Sequence, residues 1–167
     1  MFTLVVVEGY GIVLNNTMDD FSIQPGVPNA FGLVGAEANS VAAGKRPLSS
    51  MSPTIVLSGE RVRLVAGASG GPLIITGTLQ AILNVLDFSM SAEAAVAAPR
   101  IHHQWLPEKL GIDARLADRV GPALERRGHS LFEMRGGASV QLIDTGRPGG
   151  PLHAVSDPHK GGVPAGY

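Results

Sequence analysis

The stretch TIVLSGERVRLVAGASGGPLIITGTLQAILNVLD, residues 54–87, contains the clearest structural pattern of the sequence. Two β-branched runs, residues 54–57 and 61–66, flank a turn centred on Gly59, which predicts a β-hairpin. The last part of the stretch, residues 73–87, is apolar on most faces and predicts a buried helix. A hairpin followed directly by an apolar helix indicates that strands and helices share one core.

The remaining segments continue this mixture of strands and helices. Residues 4–7 and 12–14 predict a short hairpin or a kinked strand. Residues 15–45 are rich in Gly, Pro, Asn and Ser and predict a long segment without regular structure, which in a compact domain is either functional or a sign of a wrong assignment. Further elements are predicted as a short helix capped by Ser91 and ended by Pro99, a helix at 114–127, and strands at 139–144 and 152–155. This order predicts one α+β domain over residues 1–167 rather than a repeated βαβ alternation.

Composition excludes several classes of protein. The 167 residues carry a net charge of −1, whereas nucleic-acid binders need a positive excess, so we expect no nucleic-acid partner. There is no cysteine, which excludes disulfides, thiolate zinc sites and a cysteine nucleophile. The longest apolar stretch is too short to cross a bilayer, so we expect no membrane partner. The first residues lack the basic region of a signal peptide, which predicts a cytoplasmic location if the chain is expressed as it stands.

The segment GASGG, residues 67–71, is the first candidate for chemistry. Its G-x-S-x-G spacing, between a strand and a helix, is that of a nucleophile elbow, and the chain order would supply Ser69, Asp144 and His153. The simpler interpretation is a glycine turn at a helix N-terminus. Such a turn presents N–H groups to an anion or oxyanion without any nucleophile. An α/β-hydrolase needs a larger parallel sheet than this chain can form.

Three other segments are candidate binding sites. The hydroxyls of residues 47–53 could bind a carboxylate, or could simply form a serine-rich turn. The carboxylates of residues 15–21 could bind a cation or an ammonium group, or could cap a turn. His102 and His103 suggest a metal, but adjacent strand residues point apart and no third ligand has suitable spacing. We therefore expect no metal, and instead packing around Trp105 with histidine hydrogen bonds that fix a loop.

Taken in order, several long blocks of the sequence resemble one known family, the small (C-terminal) subunit of γ-glutamyltranspeptidase, also called glutathione hydrolase. The likeness extends over essentially the whole chain from about residue 5. The blocks are LNNTMDDF (14–21), PGVPN (25–29), GKRPLSSMSPT (44–54), GG (70–71), APRIHHQWLP (98–107), and the ending SDP to AGY (156–167).

The resemblance implies a fold and a reaction. The family belongs to the N-terminal nucleophile hydrolases, whose fold is an αββα sandwich, so this chain is expected to form part of such a sandwich. In the family, a precursor cleaves itself, and the new N-terminal threonine of the small subunit attacks the γ-glutamyl amide. The free α-amine of that threonine acts as the base for its own hydroxyl. No cofactor is implied.

The resemblance also implies roles for individual residues. Asp20 matches the carboxylate that holds the α-ammonium group of the substrate. Ser49 and Ser50 match the serine pair that binds the α-carboxylate. Gly70 and Gly71 match the pair of backbone N–H groups that form the oxyanion hole, in agreement with the glycine turn at a helix N-terminus.

Some positions depart from the family pattern. The Thr-Thr-His segment that supplies the nucleophile has no counterpart in this sequence, and Thr3 lacks the expected flanking block. Thr17 stands at the position of a further amine ligand, where relatives usually have Gln or Glu. Ser69 stands where relatives usually have Pro, and Pro72 replaces a Ser. We therefore expect a truncated small subunit that is inactive alone because the catalytic threonine is missing.

The sequence is compatible with two alternative functions. The chain could be a non-catalytic binding or assembly module that pairs with a large-subunit-like chain or with itself, and we expect a homo-oligomer in isolation, since incomplete sheets expose edges and apolar faces. It could also be a serine hydrolase that uses Ser69. Typical bacterial relatives are periplasmic, which would require a signal outside this sequence.

Overall fold

The computed structural model describes the backbone of residues 2–146 and 148–166, and side chains from Val5 onward. Tyr167, the last residue of the C-terminal block, and the side chain of Thr3 lie outside the described residues. The chain is α+β, as predicted, and it divides into two compact units, residues 1–50 and 51–167. Each unit is described by itself.

The first unit consists of one hairpin and a long irregular segment. Strands β1 (Phe2–Val7) and β2 (Ile12–Asn15) pair antiparallel, which confirms the predicted hairpin. The irregular segment that follows contains two 3₁₀ turns, Thr17–Asp20 and Glu37–Asn39. An isolated bridge between Ser22 and Ser40 brings two distant parts of this segment together.

The second unit contains two sheets and three helices. Its elements in chain order are β3 (Thr54–Ser58), β4 (Arg61–Ser69), α1 (Leu73–Leu86), α2 (Ala92–Ala97), β5 (Ile101–His102), β6 (Leu110–Asp113), α3 (Ala114–Glu125), β7 (Leu131–Met134), β8 (Ser139–Asp144) and β9 (His153–Ser156). The larger sheet is antiparallel with the order β3-β4-β8-β9. The predicted β3–β4 hairpin, the helices and the last two strands are all confirmed within a few residues at their ends.

The core lies between the larger sheet and helices α1 and α2. Leu64 and Ala66 of β4 alternate with less buried neighbours, and Leu142 of β8 stands opposite Ala66 in the register. The helices complete this cluster with small and branched side chains, namely Ala81, Val85, Ala92, Ala95 and Val96. One face of the sheet is therefore covered, as strand alternation requires.

Helix α1 is buried on one side only, which corrects the prediction of a buried helix. Ile75 and Leu79 are about half exposed, while Ile74, Thr78 and Ala81 are buried. Apolar residues occupy the exposed side of the helix as well as the buried side, so periodicity could not distinguish the two. None of the described helices is long and apolar enough to cross a membrane.

The smaller sheet, with the order β5-β6-β7, was not predicted. Its strands have two to four residues, which is too short to show an alternating pattern. Strands β6 and β7 are parallel and are joined through α3, so this part of the chain is one βαβ unit. Asp113 is the N-cap of this helix, and its side chain accepts a hydrogen bond from the Arg115 N–H group at 2.9 Å.

The second face of the larger sheet carries a row of apolar residues. Ile55, Val65, Ile143 and Ala154 are successive cross-strand neighbours in the register of the four strands. Ile55 is 64% exposed and Ile143 is 39% exposed. We call these four residues the open face of the sheet.

Candidate functional site

Asp20 lies at the end of the 3₁₀ turn Thr17–Asp20 in the first unit. The turn starts where the Asn15 side chain accepts a hydrogen bond from the Thr17 N–H group at 3.0 Å. Burial, and next the neighbouring Asp19 carboxylate, raise the pKa of the Asp20 carboxyl above its ordinary value. Within the described part of the chain no cation pairs with this carboxylate. Asp20 therefore carries a partly desolvated carboxylate that has no counter-ion among the described side chains.

Thr17 is placed beside Asp20 by the geometry of the turn. Residues three apart in a 3₁₀ turn lie above one another, so positions 17 and 20 share one face. Both residues are partly buried. The structure therefore brings together the two residues that were assigned to the amine by sequence.

The serine pair lies in the same unit, in an extended segment. Ser49 is exposed and Ser50 is partly buried. The preceding residue, Leu48, donates its N–H group to Oδ1 of Asn39 at 3.0 Å, and Nδ2 of Asn39 donates to the backbone oxygen of Asp20 at 2.8 Å. One buried asparagine thus links the segment of Asp20 to the segment of the serine pair.

The predicted oxyanion residues lie in the second unit, between β4 and α1. Strand β4 continues to Ser69, so only Gly70 and Gly71 of the predicted glycine turn lie outside the strand, and Pro72 follows as the N-cap of α1. Gly70 has φ +142° and Gly71 has φ +59°. A Cβ at Gly70 would lie 2.9 Å from Cα of Ala138. Both conformation and space therefore require glycine at position 70, just before a helix N-terminus that favours negative charge.

A buried ion pair supports the backbone behind this turn. Arg100 donates from Nη1 to the Ala138 backbone oxygen at 2.6 Å and from Nη2 to Oδ2 of Asp157 at 3.0 Å. Burial by itself would raise the pKa of the Asp157 carboxyl. Hydrogen bonds to the ionised form have the larger combined effect, and they come from the backbone N–H groups of His159 and Val140 and then from the side chains of His159 and Arg100. The pKa of Asp157 is therefore lowered. Arg100 and Asp157 lie in two of the quoted sequence blocks, but the sequence did not show that they pair.

The Ser69, Asp144 and His153 triad is wrong. In the β4–β8 register Ser69 stands opposite Ser139, whereas Asp144 stands opposite Leu64. Five residues of a strand separate these positions, which is roughly 17 Å. Asp144 instead forms an ion pair with Arg63. The contact that Ser69 does make is with Lys160, whose Nζ donates to Oγ of Ser69 at 2.6 Å.

The two histidines hold a loop, as predicted. Nδ1 of His102 lies 2.8 Å from Oγ1 of Thr76, and its Nε2 lies 2.9 Å from Oε1 of Gln104. His103 accepts a hydrogen bond from the Trp105 N–H group at 3.1 Å. The expected packing around Trp105 is wrong, because this side chain is 68% exposed. Across residues 2–146 and 148–166 no group of three or more acidic or imidazole ligands could hold a metal ion.

The chain is similar to known proteins of one family along almost its whole length. The family model Gamma-glutamyltranspeptidase matches residues 3–167. The glutathione hydrolase proenzyme of Escherichia coli K12 is 46% identical over 156 residues, which cover 93% of this chain and 27% of the relative. Glutathione hydrolase 2 of Arabidopsis thaliana is 44% identical over 177 aligned residues, covering 94% of this chain and 30% of that protein. This chain therefore spans less than a third of the length of these curated relatives.

A solved structure gives the same match in three dimensions. The crystal structure of a γ-glutamyltranspeptidase mutant from Helicobacter pylori is similar with a TM-score of 0.87 and 45% sequence identity. The match covers 95% of this chain and 87% of that chain.

Proposed function

Because the chain belongs to the γ-glutamyltranspeptidase family, we propose that it supplies the γ-glutamyl-binding residues and the oxyanion hole for γ-glutamyl transfer and hydrolysis. The substrates would be glutathione and other γ-glutamyl compounds. Asp20, with Thr17 beside it, would bind the α-ammonium group, and Ser49 with Ser50 the α-carboxylate. The N–H groups of Gly70 and Gly71 would stabilise the oxyanion.

The chemistry of the reaction sets what these residues must do. A nucleophile adds to the γ-carbonyl carbon, the C–N bond breaks, and the amine leaves with a proton. Water or another amine then attacks the acyl intermediate and releases the glutamyl group. Negative charge develops on the carbonyl oxygen in both steps, which is where aligned N–H groups lower the barrier most.

The nucleophile itself is proposed to come from outside these 167 residues, since nothing in them matches the Thr-Thr-His segment of the family. The chain alone would then bind a γ-glutamyl group without turning it over. Removal of the nucleophile from an enzyme that uses an acyl intermediate removes most of its catalysis.

One observation supports this proposal above the others. The Asp20 carboxylate has no cation partner among the described side chains, and the same unit holds the serine pair through Asn39. A carboxylate and a hydroxyl pair in one small unit suit a ligand that carries an ammonium and a carboxylate on one carbon.

The test is binding and turnover by the chain as it stands. We expect L-glutamate to shift the amide NMR signals of Asp20, Ser49 and Ser50, and Asp20→Ala to weaken binding by roughly tenfold or more, because a charged hydrogen-bond partner is lost. We expect no release of p-nitroaniline from γ-glutamyl-p-nitroanilide above background. Release that disappears in Asp20→Ala would show that these residues suffice for catalysis and would refute inactivity.

We further propose that the chain pairs with a large-subunit-like partner through the open face of its sheet. Ile55 and Ile143 are more exposed than apolar residues of a sheet that is covered on both faces. A second layer on this face would complete the sandwich of which the helices cover the first side. Without that partner, we expect the same apolar face to cause self-association.

The contact between Lys160 and Ser69 is the one observation that favours a serine hydrolase as the second candidate. In this contact Lys160 donates to the hydroxyl oxygen, whereas activation of a serine requires a base that takes its proton. The serine hydrolase requires labelling by a fluorophosphonate that is lost in both Ser69→Ala and Lys160→Met. Absence of labelling would exclude it.

A further inference from the structure

Asn39 is a buried residue to which the proposed function assigns no role. It is only 8% exposed and it closes the 3₁₀ turn Glu37–Asn39. We infer that Asn39 is a positioning residue that fixes the spacing between Asp20 and the serine pair and thereby sets selectivity for donors that carry both an α-amine and an α-carboxylate. This inference deepens the proposed function and rests on it.

The hydrogen bonds of Asn39 join three segments of the first unit. Its side chain donates to the Asp20 backbone oxygen at 2.8 Å and accepts from the Leu48 N–H group at 3.0 Å. Its own backbone oxygen accepts from the Ser22 N–H group at 3.0 Å, and its N–H group donates to Ala36 at 2.9 Å. An amide side chain is needed here because it donates and accepts at once, which a carboxylate cannot do.

The two side-chain bonds end at the backbone of Asp20 and at the backbone of Leu48, the residue just before Ser49. One bond holds the carbonyl of Asp20 itself, and the other holds the N–H group immediately before Ser49. The connection through the chain is far longer, since 28 residues separate Asp20 from Ser49 and they contain no regular strand or α-helix. The asparagine therefore supplies the short, rigid connection that the chain lacks.

The ligand makes this spacing important. The α-amine and the α-carboxylate of a γ-glutamyl group are bonded to the same carbon, so their binding groups must keep one fixed separation. Groups held in place before binding lose less entropy when the ligand arrives. If the Asp20 and Ser49 segments moved independently, the first could still bind an amine and the second a carboxylate. They would then rarely bind both groups of one ligand at the same time.

Neighbouring packing keeps Asn39 in place. A Cβ added to Gly35 would lie 1.8 Å from Oγ of Ser22, so the chain passes very close to Ser22 just before the turn that carries Asn39. Ser22 is itself buried and bonded to Asn39. The asparagine is thus held from both its backbone and its side chain.

The test compares two ligands that differ by one group. L-Glutamate has the α-amine, whereas glutarate lacks it. We measure the Kd of each for the wild-type chain, Asn39→Ala and Asn39→Asp by NMR titration. Asn39→Asp keeps an acceptor for Leu48 but removes the donor to Asp20. We expect both variants to bind L-glutamate roughly tenfold more weakly while glutarate affinity changes by less than about threefold, so that selectivity falls.

Asn29→Ala is the matched control. Asn29 is also a structural asparagine of this unit, but its side chain accepts only from Phe31 and Leu33, within its own turn. We expect it to keep the wild-type preference for L-glutamate. A purely structural role of Asn39 would lower the affinities for both ligands by the same factor, with no loss of selectivity, and would overturn the inference.

The wild-type chain provides a test that needs no folded variant. If Asn39 couples the two segments, L-glutamate should slow hydrogen exchange of the Leu48 N–H group more than glutarate does at equal saturation. Equal protection by both ligands would overturn the inference while leaving the proposed function intact. If the wild-type chain fails to bind L-glutamate, or Asp20→Ala binds it equally well, the proposed function fails and the inference falls with it.

Discussion

At the residue scale, Asp20 shows how a binding group can oppose the stability of its own fold. Burial and then Asp19 raise the pKa of this carboxyl, so the folded chain favours its neutral form more than the unfolded chain does. The sign follows from linkage: this contribution to stability is present at low pH and is lost as pH rises through the raised pKa. An ammonium ligand would relieve the cost by supplying the missing opposite charge.

Asp20→Asn should therefore separate binding from stability. We expect L-glutamate binding to be lost, while the Tm at pH 7 stays equal to that of the wild type or rises. Differential scanning calorimetry and NMR titration on the same samples would measure both quantities. A clear fall in Tm would mean that the ionised carboxylate stabilises the fold, against the direction of its pKa shift.

The pH dependence of binding follows from the same carboxyl. L-Glutamate needs the ionised form of Asp20, so its affinity should decline as pH falls through the pKa of that group. Because this pKa is raised, the decline should begin at a higher pH than for an ordinary aspartate of 3.8. Titrations at several pH values would check this, and Asp19→Asn should move the decline to lower pH.

At the element scale, helix α1 packs closely against Ala138, the residue just before β8 of the larger sheet. A Cβ added to Gly77 would lie 2.7 Å from Cβ of Ala138, which also backs Gly70. The buried side of the helix can approach the sheet this closely only because residue 77 has no side chain. Ala138 therefore limits the space at both Gly77 of the helix and Gly70 of the turn before it.

Gly77→Ala should overpack this contact. We expect a loss of about 1–3 kcal/mol in the free energy of unfolding, because the Cβ of the buried Ala138 is fixed to the backbone and cannot rotate away. Urea denaturation would measure the change. Gly67→Ala is the control, since a Cβ at Gly67 meets nothing within 4 Å, and a comparable loss there would contradict the packing explanation.

The start of α3 depends on a charged cap. The Arg115 side chain, in hydrogen bonds with Asp113, contributes most to lowering the pKa of Asp113 to about 2. Asp113→Ala should cost about 1 kcal/mol of stability, as is usual for a lost N-cap. The benefit of the charge should be present above the ordinary pKa of 3.8 and fade as pH falls toward 2.

Asp113→Asn tests the charge separately from the cap. Asparagine caps helices about as well as aspartate does. We expect this variant to lose less stability than Asp113→Ala at pH 7 and to lack the acid-dependent decline. An unchanged decline in chemical denaturation between pH 4 and pH 2 would assign it to other carboxylates.

At the scale of the whole molecule, the larger sheet is covered on one face and open on the other. Helices α1 and α2 bury the first face, while the open face presents Ile55 and Ile143 to solvent. Exposed apolar rows of this kind are typical of interaction surfaces. This is the arrangement expected for part of an αββα sandwich.

Ile55→Lys should reduce self-association of the isolated chain, because a charge on the open face must lose its hydration when a second molecule covers it. Sedimentation velocity at micromolar concentration would measure the change toward monomer. Ser58→Lys adds the same charge at the exposed end of the same strand and should have little effect. A wild-type chain that is already monomeric would contradict the expected homo-oligomer.

The elements that the sequence predicted correctly are those that depend on short local patterns. The β3–β4 hairpin follows from β-branched runs around Gly59, and helix α2 follows from its Ser91 cap, whose hydroxyl accepts from the Ala94 N–H group at 3.2 Å. These signals lie within a few residues of each other. The candidate site residues followed from long sequence blocks, and their assignment to substrate groups stays a prediction.

Other features depend on segments far apart in the chain. The strands β5, β6 and β7 are too short to show a pattern of their own. Strand β7 pairs with β6 because α3 returns the chain there, and β5 pairs with β6 as well. The proposed Ser69, Asp144 and His153 triad failed because chain order says nothing about register. The pairing of Arg100 with Asp157 spans 57 residues, and neither local sequence reveals it.

The sequence by itself determined the family, the α+β class and the local elements, because composition, turns and periodicity act over a few residues. Only the tertiary structure decided which side of α1 is buried, which face of the sheet stays open, and that Asn39 joins Asp20 to the segment of Ser49. Those outcomes depend on which distant segments approach one another and on whether each buried polar group finds its partner. A one-dimensional pattern does not contain that information.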